Sequence, residues 1–149
     1  MNDKLLLALA LAWTLTNTAW AGTYEWTSGW GQGVAEYQAD DGNDNALTIS
    51  CPDHEDGYIS AYADIAGKAY SSDQEGGFDV IVDGIHYSNP FFTDCRACAA
   101  NFPGFWDALR KANNLQINAE GKTVNLPTKN IGQILRPLDH PENSCTASW

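Results

Sequence analysis

Basic residues are scarce in this chain: 8 Lys and Arg stand against 19 Asp and Glu among 149 residues, a formal charge of −11. Phosphate backbones and anionic headgroups are bound by clustered Lys and Arg, so nucleic acid and charged membrane surfaces are excluded as partners. The acidic balance suits the solubility of an exported protein. Apolar runs are also short. The longest extends from Leu5 to about Thr16, less than the roughly 20 residues of a bilayer span, which predicts no membrane insertion.

Catalytic motifs are missing too. There is no G-x-S-x-G elbow, no H-E-x-x-H, no Walker loop and no dinucleotide fingerprint. Gly29-Trp30-Gly31-Gln32-Gly33 is Gly-rich but has no basic neighbour to hold phosphate. His54, His86 and His140 fall in turn or surface contexts, and neither a second Cys-x-x-Cys nor a His pair stands at zinc-finger spacing. Asp53-His54-Glu55-Asp56 and Asp139-His140-Pro141-Glu142 read as solvated turns. The run Asp40 to Asn45, DDGNDN, is rich in oxygen ligands but departs from the calcium loop and lacks its closing glutamate, so it reads as a hairpin turn. These residues predict no catalytic site, no cofactor and no metal.

What is present begins with an export signal. Residues 1–21, MNDKLLLALALAWTLTNTAWA, combine one early lysine, an apolar core and the small-x-small ending Ala19-Trp20-Ala21. That pattern predicts a signal peptide cleaved after Ala21 and a periplasmic or secreted product. No cysteine follows the cleavage point to carry a lipid anchor. Residues 22–149 are one domain's worth of chain.

All four cysteines, Cys51, Cys95, Cys98 and Cys145, lie in that exported portion. An even count in an oxidising compartment predicts two disulfides. Of the three connectivities, Cys95–Cys98 with Cys51–Cys145 is favoured, because the second bond ties an early strand to a tail too polar to dock by itself.

Periodicity predicts a β-rich α+β fold: an antiparallel sheet or small sandwich with one main helix and a short C-terminal helix. Alternation over Val34–Ala39 and Leu47–Cys51 around DDGNDN gives a hairpin, Tyr58–Asp64 a third strand, and Phe78–Val82 with Ile85–Tyr87 a hairpin turned by Asp83-Gly84. Leu115–Ala119 and Val124–Leu126 flank Glu120-Gly121 as the last hairpin. Phe102, Phe105, Trp106 and Leu109 recur at i, i+3, i+4 and i+7, which places the main helix at about 102–113 with Pro103 in its first turn. The short helix falls at about 128–135, stopped by Pro137.

Cys95-Arg96-Ala97-Cys98 then allows two readings, a redox centre or a staple. Helix amino termini make thiolates reactive. With Pro103-Gly104 taken as a break, the pair falls in a loop ahead of the helix, where Arg96 is the one neighbour able to acidify a thiol, and the staple is the better reading. Among the aromatics, Trp26 and Trp30 in TYEWTSGWGQG form a candidate recognition surface, since Trp is favoured as a binding anchor; the competing reading folds them onto the sheet.

The succession VIVDGIHY, CRAC, FPGFWDALRKANNLQI and GKTVNLPTKNIGQIL, over Phe78–Leu135, resembles the latter part of small exported bacterial proteins of the invasion-associated-locus-B and type VI secretion-accessory kind. The segment up to Cys51 departs from them in lacking a local partner for that cysteine. The resemblance implies a compact β-rich periplasmic protein without a known catalytic site, and it offers no catalytic residue to carry over. Taken together, these features predict a non-enzymatic accessory protein that binds another envelope or exported component. The alternatives are an inhibitor or immunity protein against an exported hydrolase, for which the acidic surface speaks, and a thiol oxidoreductase using Cys95 and Cys98.

Overall fold

Two-residue turns set the strand pairing of this chain. A computed structural model describes residues 22–149, and the expected signal peptide, 1–21, lies outside the described residues. Gln32-Gly33, Ala66-Gly67, Asp83-Gly84 and Glu120-Gly121 each have positive φ at both positions, at 53° and 77°, 52° and 79°, 49° and 85°, and 51° and 79°. That is type I′ geometry, whose twist matches the twist of the strands it joins.

Between these turns lie two antiparallel sheets. The first contains β1 (Thr27–Gly31), β2 (Val34–Asp40), β3 (Ala46–Pro52), β4 (Ser60–Ile65) and β5 (Lys68–Ser71), side by side in chain order. The second contains β6 (Asp79–Val82), β7 (Ile85–Tyr87), β8 (Leu115–Ala119) and β9 (Lys122–Leu126) in the order β7-β6-β8-β9. Leu47, Ile49 and Cys51 of β3, Ala61, Ala63 and Ile65 of β4, and Val80 and Val82 of β6 are buried at period two. β4 lies against β8 and β9, which brings the two sheets together. The expected fold class holds.

The helices α1 (Arg96–Arg110) and α2 (Ile131–Ile134) correct the expected boundaries. α1 starts six residues before Phe102 and carries Pro103 inside it. A proline deep in a helix loses the bond to the carbonyl four residues back and crowds it, which is why Pro103 points to a start at about 102. The Cys95–Cys98 bond spans its first turn. Covalent closure of one turn offsets the nucleation penalty that limits short helices. α2 is shorter than 128–135 because Asn130, at φ 65°, stands outside helical geometry.

Phe102, Phe105, Trp106 and Leu109 of α1 are all buried. Trp106 meets Tyr37 of β2 edge-on at 6.4 Å, and Phe105 meets Tyr87 of β7 at 5.0 Å and Phe91 at 5.1 Å. The helix therefore touches both sheets. Trp106 Nε1 donates to the Arg136 carbonyl at 2.8 Å, and Arg110 Nε donates to that of Leu135 at 3.0 Å.

The second disulfide, Cys51–Cys145, spans 94 residues and fastens the tail to β3. Around it Ser144 Oγ donates to the Cys51 carbonyl at 3.1 Å, and Ile59 N–H donates to that of Thr146 at 2.9 Å. Lys68 Nζ and the Tyr70 hydroxyl donate to the Glu120 carboxylate at 2.6 and 2.9 Å, bridging the sheets at one end. The Lys68 hydrogen bond holds the Glu120 carboxyl below its ordinary value, but both groups are exposed and water screens the pair.

Trp106→Ala should destabilise the fold by about 3–5 kcal/mol, the usual loss for a large buried aromatic. Urea unfolding measures it, and a loss under about 1 kcal/mol, typical of exposed positions, contradicts its place in the core. Replacing Cys51 and Cys145 together by serine should remove about 4–5 kcal/mol on the chain-entropy estimate for so long a loop. An unchanged unfolding midpoint for that double variant contradicts the role given to the tail.

Candidate functional site

The structure separates the expected site residues between core and surface. Trp26 corrects the expected recognition surface: it is 1% exposed and belongs to the core. Its Nε1 donates to the Pro127 carbonyl at 2.9 Å, and its backbone N–H donates to that of Lys129 at 3.0 Å. With its single polar atom paired, the indole is buried without penalty. Trp30, on β1, is 71% exposed. The two tryptophans therefore do not form one surface.

Cys51 and Cys145 are buried. Cys95 and Cys98 are half-buried, and their position overturns the loop reading of this pair. Cys95 is the N-cap of α1, with extended backbone, and its Sγ accepts the Cys98 backbone N–H at 3.0 Å. Ala99 N–H donates to the Cys95 carbonyl at 2.9 Å. The sulfur thus stands where the free N–H groups and the positive end of the helix dipole favour a thiolate. Arg96 opens the helix on its exposed side.

A cleft of 630 Å³ opens beside this disulfide. One wall is the first half of α1, through Ala97, Cys98, Asn101, Phe102, Gly104 and Phe105. The other is a continuous run from His86 through Pro90, with Phe92 at the rim, 37% exposed. Asn89 holds that run in place. It adopts φ 38°, its N–H donates to Asp79 Oδ1 at 3.1 Å, and its Nδ2 donates to the Ser72 carbonyl at 3.0 Å. Its Oδ1 is buried with no hydrogen-bond partner, a state that costs about 1–3 kcal/mol. His86 Nδ1 stands 3.7 Å from Asp79.

Gly104 is the least expected member of the helical wall. Glycine inside a helix costs about 1 kcal/mol relative to alanine, and here nothing lies within 4 Å of where a Cβ would stand. Packing does not require it. Its effect is to keep the cleft wall low.

The acidic clusters behave as turns. Asp41 accepts Asn43 N–H at 2.8 Å and Asn45 Nδ2 at 2.7 Å inside its own loop, and Asn45 Oδ1 accepts Ala66 N–H at 2.8 Å. Among the described residues no group of three or more His, Cys, Asp or Glu is placed to hold a metal ion. No helix among them is long and apolar enough to cross a membrane.

No local sequence pattern marks His86 or Asn89 as cleft residues. For Gly104 a signal existed: a glycine among well-spaced apolar helical positions is a stability concession that invites a functional reason. Gly104→Ala should stabilise the fold by about 0.5–1 kcal/mol, read from the thermal midpoint. A destabilisation means that the helix has no room there.

Two disulfides in so small a domain belong to an oxidising, extracytoplasmic environment. No curated protein and no solved structure matches the chain. Residues 24–135 match the sequence model of the family described as YfjT, a span that takes in both sheets, both helices and the cleft and stops short of Cys145. On that match the chain belongs to the YfjT family.

Proposed function

We propose that this is an exported, non-enzymatic accessory protein that holds an extended segment of another envelope or exported protein in the cleft between β7 and α1. The observation that carries this reading is that His86 and Tyr87, adjacent residues of β7, both line the cleft. Successive strand residues point to opposite faces, so two adjacent strand residues on one wall place the edge of β7, and not one of its faces, against the cleft. β7 is the outer strand of its sheet. The outer strand of a sheet leaves one row of N–H and C=O groups free, and an extended peptide can pair with such an edge.

The opposite wall suits the side chains of such a segment. Phe102 and Phe105 form an apolar base, Asn101 is an exposed polar contact, and Gly104 leaves room above the helix. The charge of −11 favours encounter with neutral or basic segments over acidic ones. The candidate signal peptide 1–21 and the likeness of Phe78–Leu135 to small exported accessory proteins support the same reading.

Short unstructured peptides taken from exported proteins test it by amide NMR. Binding should shift and protect amides from His86 to Phe92, excluding Pro90, and from Ala97 to Phe105, excluding Pro103. Gly104→Leu should weaken that binding at least about tenfold, or about 1.4 kcal/mol, without lowering the unfolding midpoint. Shifts confined to the Trp30 surface, or a Gly104→Leu variant that binds as well as the parent, overturn the proposal.

A further inference from the structure

We infer that the Cys95–Cys98 disulfide accepts a cysteine thiolate carried by the segment in the cleft, so that the partner is captured through a mixed disulfide on Cys98. This rests on the cleft-binding reading and adds a covalent step to it.

Position separates the two sulfurs into different roles. Cys98 lines the cleft, whereas Cys95 caps the helix behind it. A thiolate arriving from the cleft meets Cys98 Sγ first. Its lone pair forms the new S–S bond to Cys98, and the electron pair of the Cys95–Cys98 bond leaves on Cys95 as a thiolate. No net oxidation occurs in that step. The leaving sulfur already accepts the Cys98 N–H at 3.0 Å and stands at the amino terminus of the fifteen-residue helix α1, which stabilises the charge it acquires. Exchange is faster when the leaving thiolate is stabilised.

Two outcomes follow from the mixed disulfide. Where the partner has one thiol, the Cys95 thiolate attacks Cys98 Sγ, re-forms the original bond and releases the partner unchanged. Where it has two, its second thiolate attacks the partner sulfur and expels Cys98. The partner dithiol is then oxidised to a disulfide by two electrons, and Cys95 and Cys98 take up the two electrons and the two protons as thiols.

The other disulfide is the internal contrast. Cys51 and Cys145 are 0% and 8% exposed, and their bond closes 94 residues. A bond across a separation of three closes a very short loop, where the chain-entropy gain is small. Global stapling is thus the task of Cys51–Cys145, and the half-buried bond at the cleft is the one placed for chemistry.

The test uses the oxidised full-length exported chain with two probes, reduced glutathione and an unstructured alanine-valine peptide with one central cysteine. Acid quenching and intact mass, followed by peptide mapping, should find the peptide on Cys98 and leave Cys51–Cys145 closed. Gly104→Leu should slow peptide exchange at least about tenfold, through loss of the proximity that the cleft provides, and the glutathione adduct of the parent chain should also map to Cys98. In Cys98→Ser, thiolate absorbance of Cys95 should develop at lower pH in the folded chain than in urea. An adduct on Cys95, or peptide exchange that Gly104→Leu leaves unchanged, overturns the inference. If the serine form of the peptide binds the cleft but the cysteine form gives no adduct, the covalent step falls and the binding reading stands. If neither form shifts the cleft amides, the binding reading falls with it.

Discussion

The aromatic face of α1 is the contact on which the other features depend. Trp106 against Tyr37 reaches the first sheet, and Phe105 against Tyr87 and Phe91 reaches the second. Each aromatic pair contributes about 0.5–1.5 kcal/mol beyond the area it buries. The exposed Lys68–Glu120 bridge between the same sheets belongs to a class worth about 0–1 kcal/mol. The rings therefore decide how the sheets are held, and the ion pair trims one end. The same face also routes the tail, since Trp106 Nε1 and Arg110 Nε take the carbonyls of Arg136 and Leu135. It sets the distance between α1 and β7 as well, which is the width of the cleft.

Much of this was legible because local signals and tertiary needs agree. The alternation of β2, β3, β6 and β8, the Asp83-Gly84 and Glu120-Gly121 turns, and the spacing of Phe102, Phe105, Trp106 and Leu109 all recur in the structure. Both disulfides join the expected partners. β1 and β5 were not legible. Their turns, Gln32-Gly33 and Ala66-Gly67, put Gln32 and Ala66 in the left-handed region at a position where Asn, Asp or Gly is the usual signal. β1 itself, TSGWG, is rich in residues that strands avoid. The anchoring of Trp26 on Pro127 and Lys129 spans about a hundred residues of sequence, a separation at which no local pattern informs.

The misplaced start of α1 is the more instructive failure, because two correct rules competed. Proline inside a helix is unfavourable by about 3 kcal/mol and glycine by about 1, and Pro103-Gly104 sits in the middle of this one. Arg96, Ala97, Ala99 and Ala100 are good helix formers, but the proline and glycine that follow them argue against one helix continuing from Arg96 through to Arg110. Tertiary contact and a covalent turn override propensity here. The cystine closes the first turn, the aromatic face docks beyond it, and the helix runs through the proline between two fixed points.

That arrangement has a physical consequence for the cleft. Pro103 has no N–H to offer the carbonyl four residues before it, so the first turns of α1 are tied less firmly to the rest of the helix than in an uninterrupted one. Docking of Phe102 and Phe105 anchors the inner side of this segment, and the Cys95–Cys98 bond anchors its beginning. The outer side, with Ala97, Asn101 and Gly104, is held by neither and faces the cleft. A residue set chosen for stability alone would place alanine or leucine at 104 and remove the proline at 103. Keeping both leaves a low wall whose first turn is held by a bond that thiols can open.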